Sequence, residues 1–97
     1  MKAYELLFIV APTIDDETRA GVMKRIETTI TDAQGVVDNV DNWGKRKLAY
    51  EINGLSDGDY TLLAFPTAPQ SIAELDRVLR INEAVVRHMI VARTDRD

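Results

Sequence analysis

Apolar residues along this chain first alternate, then recur every three or four positions, and the changes of period divide it into six elements. Tyr4 to Ala11 is a short apolar run ended by Pro12, which predicts a first strand. Tyr4, Leu6, Phe8 and Val10 fall on one of its faces, and Glu5, Leu7 and Ile9 on the other. Both faces are largely apolar, as expected of a central strand with partial cover on its second side. Asp15, Asp16 and Glu17 then place negative charge where a helix N-terminus is partially positive. Val22, Met23, Ile26, Ile30 and Ala33 form one stripe, predicting a helix from about Asp15 to Ala33 that Gly35 ends. Val36 to Ile52 predicts a long second strand with a bulge or kink at Asp41-Asn42-Trp43-Gly44. Residues 53–58 predict a hairpin loop, and Tyr60 to Phe65 a third strand stopped by Pro66. Pro69 opens a second helix in which Ser71 and Glu74 have capping-box spacing, and Ile72, Leu75, Val78 and Leu79 are its buried stripe. Ala84 to Ala92 predicts the fourth strand, and residues 94–97 a short polar tail.

The order strand, helix, strand, strand, helix, strand predicts an α+β fold. Two split units with right-handed crossovers give a four-stranded antiparallel sheet in the order 4-1-3-2, with both helices on one face. This is the ferredoxin-like βαββαβ sandwich. At 97 residues the expectation is a single domain spanning residues 1–97. On that fold Leu7, Ile9, Met89 and Val91 point to the side without helices. The sequence leaves open whether a partner protein covers them or the 53–58 loop does.

Composition removes several classes of function. There is no cysteine, so disulfides, thiol catalysis and thiolate metal sites are excluded, and a reducing cytoplasm is the expected setting. One histidine, His88, cannot build a multi-histidine metal site. It stands in an apolar strand with no serine or acid at helpful local spacing, which favours a half-buried structural histidine over a general base. No apolar run approaches the ~20 residues of a membrane span. Walker and Rossmann glycine loops are absent. Acylphosphatases share the fold but carry a glycine-flanked, arginine-bearing loop after strand one. Here that stretch reads Ala11-Pro12-Thr13-Ile14-Asp15, which is acidic. The expectation is therefore a protein that is not an enzyme, with no cofactor, metal or small-molecule substrate. A small-molecule-binding regulatory domain of the same fold is the alternative.

The net charge is −4, but it is unevenly placed. Residues 1–44 carry four basic and eight acidic side chains, whereas residues 45–97 carry eight of each. Because salt screens charges beyond about 8–10 Å, the local field decides phosphate binding, and an acidic protein can present a basic face. Compared with an RNA-recognition motif, Gly58-Asp59-Tyr60-Thr61-Leu62-Leu63-Ala64-Phe65 keeps the glycine but shows no open-face aromatic pair, so base stacking is not expected.

Two stretches carry a family likeness. One is Trp43-Gly44-Lys45-Arg46-Lys47-Leu48-Ala49-Tyr50-Glu51-Ile52, and the other runs Leu79-Arg80-Ile81-Asn82-Glu83-Ala84-Val85-Val86-Arg87-His88-Met89-Ile90. With the opening Met1-Lys2-Ala3-Tyr4-Glu5, they resemble the bacterial small-subunit ribosomal protein six family over essentially the whole chain. The resemblance implies a non-enzymatic, ribosome-associated protein that binds small-subunit ribosomal RNA together with small-subunit ribosomal protein eighteen. It places RNA contacts on Lys2, Tyr4, Arg80 and Arg87, and RNA or partner contacts on Lys45, Arg46 and Lys47. His88 stands where many members carry an aliphatic or basic residue.

Each of these positions also has a plainer reading. Lys45, Arg46 and Lys47 would protect a sheet edge against unwanted pairing. Arg80 would complement the negative end of the second helix. Antiparallel pairing of strands one and four brings Lys2 and Arg93 near each other. The expected RNA site is therefore one patch of Lys2, Arg87 and Arg93.

Overall fold

The computed structural model describes residues 2–52 and 54–93, so the 94–97 tail lies outside the described residues. β1 spans Lys2–Val10, α1 Asp16–Asp32, β2 Asn39–Ile52, β3 Leu55–Thr67, α2 Ile72–Ile81 and β4 Val85–Ala92. The sheet order is β2-β3-β1-β4, the expected order read from the other edge, and every neighbouring pair is antiparallel.

The two apolar periods meet in one core. Tyr4, Leu6, Phe8 and Val10 from β1 join Leu63 and Phe65 from β3. Val22, Ile26 and Ile30 from α1 and Leu75 and Leu79 from α2 close over them. Burial of a Leu, Ile or Phe side chain contributes about 1.5–3 kcal/mol, so this layer outweighs any single polar contact described below.

The ends of α1 follow their sequence. Asp15 is the N-cap, accepting a hydrogen bond from the Thr18 amide at 2.7 Å, and the Thr18 side chain, and after it that amide, hold its carboxyl below the usual carboxylate range. At the other end the Gln34 amide donates to the Thr31 carbonyl and the Gly35 amide to the Ile30 carbonyl. This is the Schellman pattern, but Gln34 (φ 66°) takes the left-handed position. Gly35 is needed instead for close approach, because a Cβ there would sit 2.7 Å from the Pro66 carbonyl oxygen.

Three local expectations are corrected. Ser71 makes no capping box. Its hydroxyl donates to the Ala68 carbonyl at 2.7 Å and pairs with the buried Thr67 hydroxyl at 2.9 Å, within a 3₁₀ turn, Pro69–Ser71, that precedes α2. Glu74 is held by Arg77 instead. Pro66 does not stop β3, which continues to Thr67 opposite Ala3 and Lys2. The hairpin loop is also shorter than expected. Ile52 pairs with Leu55, so residues 55–58 belong to β3 and Gly54 turns the chain with φ 80°, while Asn53 lies outside the described residues.

The bulge in β2 lies where the sequence places it. Asn42 pairs with Thr61 and Gly44 with Tyr60, so Trp43 is the extra residue and Gly44 takes φ 76°. Beyond Lys47 the register of β2 slips again. The arm from Leu48 to Ile52 turns over the helix-free face, where Leu48, Tyr50 and Ile52 line a groove of about 270 Å³ with Leu7, Ile9, Tyr60 and Met89. The second side of the central strand is thus covered in part by the end of β2 itself. Ile9 is 6% exposed although it points away from the helices.

Candidate nucleic-acid interface

Registered strand pairs share a face, so the pairing fixes which side chains line up across the sheet. On the helix-free side one row runs Arg87 (β4), Ile9 (β1), Tyr60 (β3), and Gly44 with its bulged neighbour Trp43 (β2). At ~4.8 Å per strand, this row is about 14 Å wide. The next row is Met89, Leu7, Leu62 and Asp41, and the one after it Val91, Glu5, Ala64 and Asn39. The face therefore grades from a basic and aromatic end, through an apolar middle, to a polar end.

The first row is built around rings. Trp43 and Tyr60 stack with centroids 6.2 Å apart and planes 12° from parallel. The Arg46 guanidinium lies 5.6 Å over the indole, and its Nε donates to the Trp43 carbonyl. Asp41 fixes the ring in its plane by accepting the indole N–H at 3.1 Å. At the opposite end Arg87 lies 5.8 Å over the Tyr50 ring and donates to the Tyr50 hydroxyl. Such cation–π contacts contribute roughly 0.5–1 kcal/mol at exposed sites. The absence of an open-face aromatic pair, expected from β3 alone, is thus corrected, because the second ring comes from the bulge in β2. The signal that would have found it is a tryptophan beside a glycine in a predicted bulge, opposite a strand residue in phase with Ile9.

The expected cluster of Lys2, Arg87 and Arg93 is not formed. Arg87 and Arg93 share the helix-free side but lie six residues apart on an extended chain, about 20 Å. Arg93 is held near Glu5, Nε to Oε2 3.8 Å. Lys2 shares the alternation of Tyr4 and Leu6, on the helix side. Arg80 is also on the helix side, bound to Asp76. Tyr4 is a core residue, 8% exposed and stacked on Phe65, so its ring offers no contact surface. What remains together is Lys45, Arg46 and Lys47 on the β2 edge and Arg87 across the row. All four are exposed, and none has a carboxylate partner among the described residues. Lys45 and Lys47 point to the other side of β2, in register with Asp59 and Asp57. Asp59 is taken by Arg19 of α1 at 2.9 Å.

His88 belongs to the packing between α2 and β4. It lies opposite Phe8 on the helix side, with Nε2 2.7 Å from Asp76 Oδ1. The His88 hydrogen bond, and after it that from Arg80, holds the Asp76 carboxyl below its usual range. A depressed carboxyl stabilises the fold above its unfolded pKa of about 4 and loses that contribution as pH falls through the lower folded value. Asp76→Asn should therefore flatten the loss of stability on the acid side, measured as urea midpoints at neutral pH and in acid. An unchanged acid slope would remove Asp76 from this role.

Among the described residues no group of three or more histidine, aspartate or glutamate side chains stands ready to hold a metal ion. No helix of the described residues is long and apolar enough to cross a membrane. The loop after β1 delivers the acidic N-cap Asp15, and the nearby Arg19 is committed to Asp16 and Asp59.

The comparisons with known proteins agree over nearly the whole chain. The family model described as Ribosomal protein S6 matches residues 3–92. The small ribosomal subunit protein bS6 of Clostridium botulinum is 48% identical over 91 residues, covering 94% of this chain and 97% of that protein. The bS6 protein of Desulforamulus reducens is 41% identical, with 94% and 96% covered. Among solved structures, the crystal structure of 30S ribosomal protein S6 from Thermotoga maritima superposes with a TM-score of 0.90 at 34% identity, covering 97% of this chain and 89% of that one. The C-terminal domain of the MgtC protein from Mycobacterium tuberculosis, at 13% identity and a TM-score of 0.65, shares the fold alone. With its length, element order, sheet topology and sequence all matching, the chain belongs to the ribosomal protein S6 family of the small ribosomal subunit, whose members are structural and not enzymes.

Proposed function

We propose that this ribosome-associated cytoplasmic protein binds small-subunit ribosomal RNA through Lys45, Arg46, Lys47 and Arg87, jointly with small-subunit ribosomal protein eighteen. The observation that carries the RNA half is that four exposed cations, Arg46 and Arg87 on the helix-free face and Lys45 and Lys47 on the β2 edge, have no carboxylate partner among the described residues. Arginine suits phosphate because its planar fork donates two parallel hydrogen bonds. The partner half rests on the apolar middle of the same face, where Met89 is 54% exposed beside Leu7 and Val91. A protein laid over that row would bury apolar surface and leave the basic end to RNA.

Removing one cation that neutralises a phosphate should lower the slope of log affinity against log salt by roughly 0.7–0.9. Arg87→Ala is expected to do so and Asp16→Ala, on the helix side, is not. Filter binding to small-subunit ribosomal RNA across a salt series reads both. Equal slopes for wild type and Arg87→Ala would remove Arg87 from the interface, and full-strength RNA binding without protein eighteen would remove the partner. Co-sedimentation of tagged protein with small subunits tests the whole reading.

A further inference from the structure

We infer that Trp43 is a stacking platform for an unpaired RNA base, and that Arg46 occupies the indole face as a place-holder until a base arrives. The inference rests on the RNA-binding reading and names the part of the RNA that this end of the sheet takes.

Trp43 sits on a bulge at an edge strand, with Tyr60 stacked against its ring and the Arg46 guanidinium lying over it. Trp43 is 38% exposed, and the Asp41 acceptor fixes the plane of its ring. Single-stranded nucleic acids are held by this combination of an aromatic face for the base and cations for the backbone. Lys45, Arg46 and Lys47 supply the cations on the same strand, and Arg87 at the far end of the row. The acid beside the ring is Asp41, whose charge is engaged by the indole N–H. Asp57 lies opposite Lys47 on the other side of β2. When a base displaces Arg46 from the ring, the guanidinium swings to the adjoining phosphate. The exchange replaces one cation–π contact with a base stack and a charged hydrogen bond. An apolar protein segment would gain nothing from Arg46 at that position and would leave the guanidinium without a phosphate.

Trp43 is the sole tryptophan of the chain, so its emission reports the site directly. Titration with a short oligoadenylate should quench it saturably, whereas an abasic ribose-phosphate oligomer of the same length should bind more weakly and leave it bright. Trp43→Leu should weaken oligoadenylate binding ~10-fold and Trp43→Phe much less, with unchanged urea midpoints for both. Arg46→Ala should keep the quenching and lower the salt slope by about 0.7. Equal quenching by the abasic oligomer, or wild-type affinity in Trp43→Leu, would overturn the inference. So would emission that ignores the oligonucleotide yet shifts on adding protein eighteen, which would give the row to a protein. Retained ribosomal RNA binding with a silent Trp43 sinks only the platform. Quenching by oligoadenylate without ribosomal RNA binding sinks the proposed function and leaves the platform standing.

Discussion

Phe65→Ala should remove about 3–5 kcal/mol of stability, among the largest losses expected of any single substitution here. Phe65 is 1% exposed at the centre of the core, on β3 opposite Tyr4, and its ring stacks on that tyrosine at 6.1 Å. Its stacking partner Tyr4 is on the neighbouring central strand and is held there by the sheet, which resists collapse of the cavity. A domain of this size is stable by roughly 5–15 kcal/mol. At about 4–8 °C per kcal/mol, the melting temperature should fall by more than about 12 °C. Ile81→Ala, at an exposed helix position, is the control and should change stability by less than about 0.5 kcal/mol. Urea unfolding with unchanged m-value measures both. A loss below about 1 kcal/mol for Phe65→Ala would mean that the packing relaxes, and that this core is less specified than its burial implies.

Gly58→Ala is the second large effect, and its cause is steric. Gly58 has an ordinary φ, but an added Cβ would overlap Ile9 Cγ2 and come within 3.3 Å of Leu48 Cδ2. Ile9 is β-branched on a central strand and has little rotamer freedom with which to yield. Overpacking of this kind costs about 1–3 kcal/mol. Ile9→Ala removes the clashing methyl, so in the double variant the two effects should not add. A coupling of at least ~1 kcal/mol in the double-mutant cycle is expected. Strict additivity would show that the strain is relieved elsewhere.

The core was legible because period fixes face. The alternation at Tyr4, Leu6, Phe8 and Val10 and the stripe at Val22, Ile26 and Ile30 all point where the sequence says. Tyr4 illustrates the limit of analogy, since the family likeness named it an RNA contact while its own alternation placed it inside. The bulge was legible from Trp43-Gly44, but what the indole would meet was not, because that depends on strand register across β2 and β3. The turning of the β2 arm over the open face was also hidden. Alternation tells which side Leu48, Tyr50 and Ile52 take, and it does not say how strongly a long hairpin twists. The grouping of cations failed for a related reason. Sequence spacing gave the strand positions of Arg87 and Arg93, while their partners Tyr50 and Glu5 come from other strands.

The contact between Arg87 and Tyr50 joins β4 to β2, the two outermost strands of the sheet. An open sheet ordinarily frays from each margin independently. Here a clasp links the margins across the face, so release of one loosens the other. Amides of the β2–β3 arm and of β4 should exchange as one cooperative unit, and an RNA that takes Arg87 for its phosphate would undo the clasp and free the arm to move.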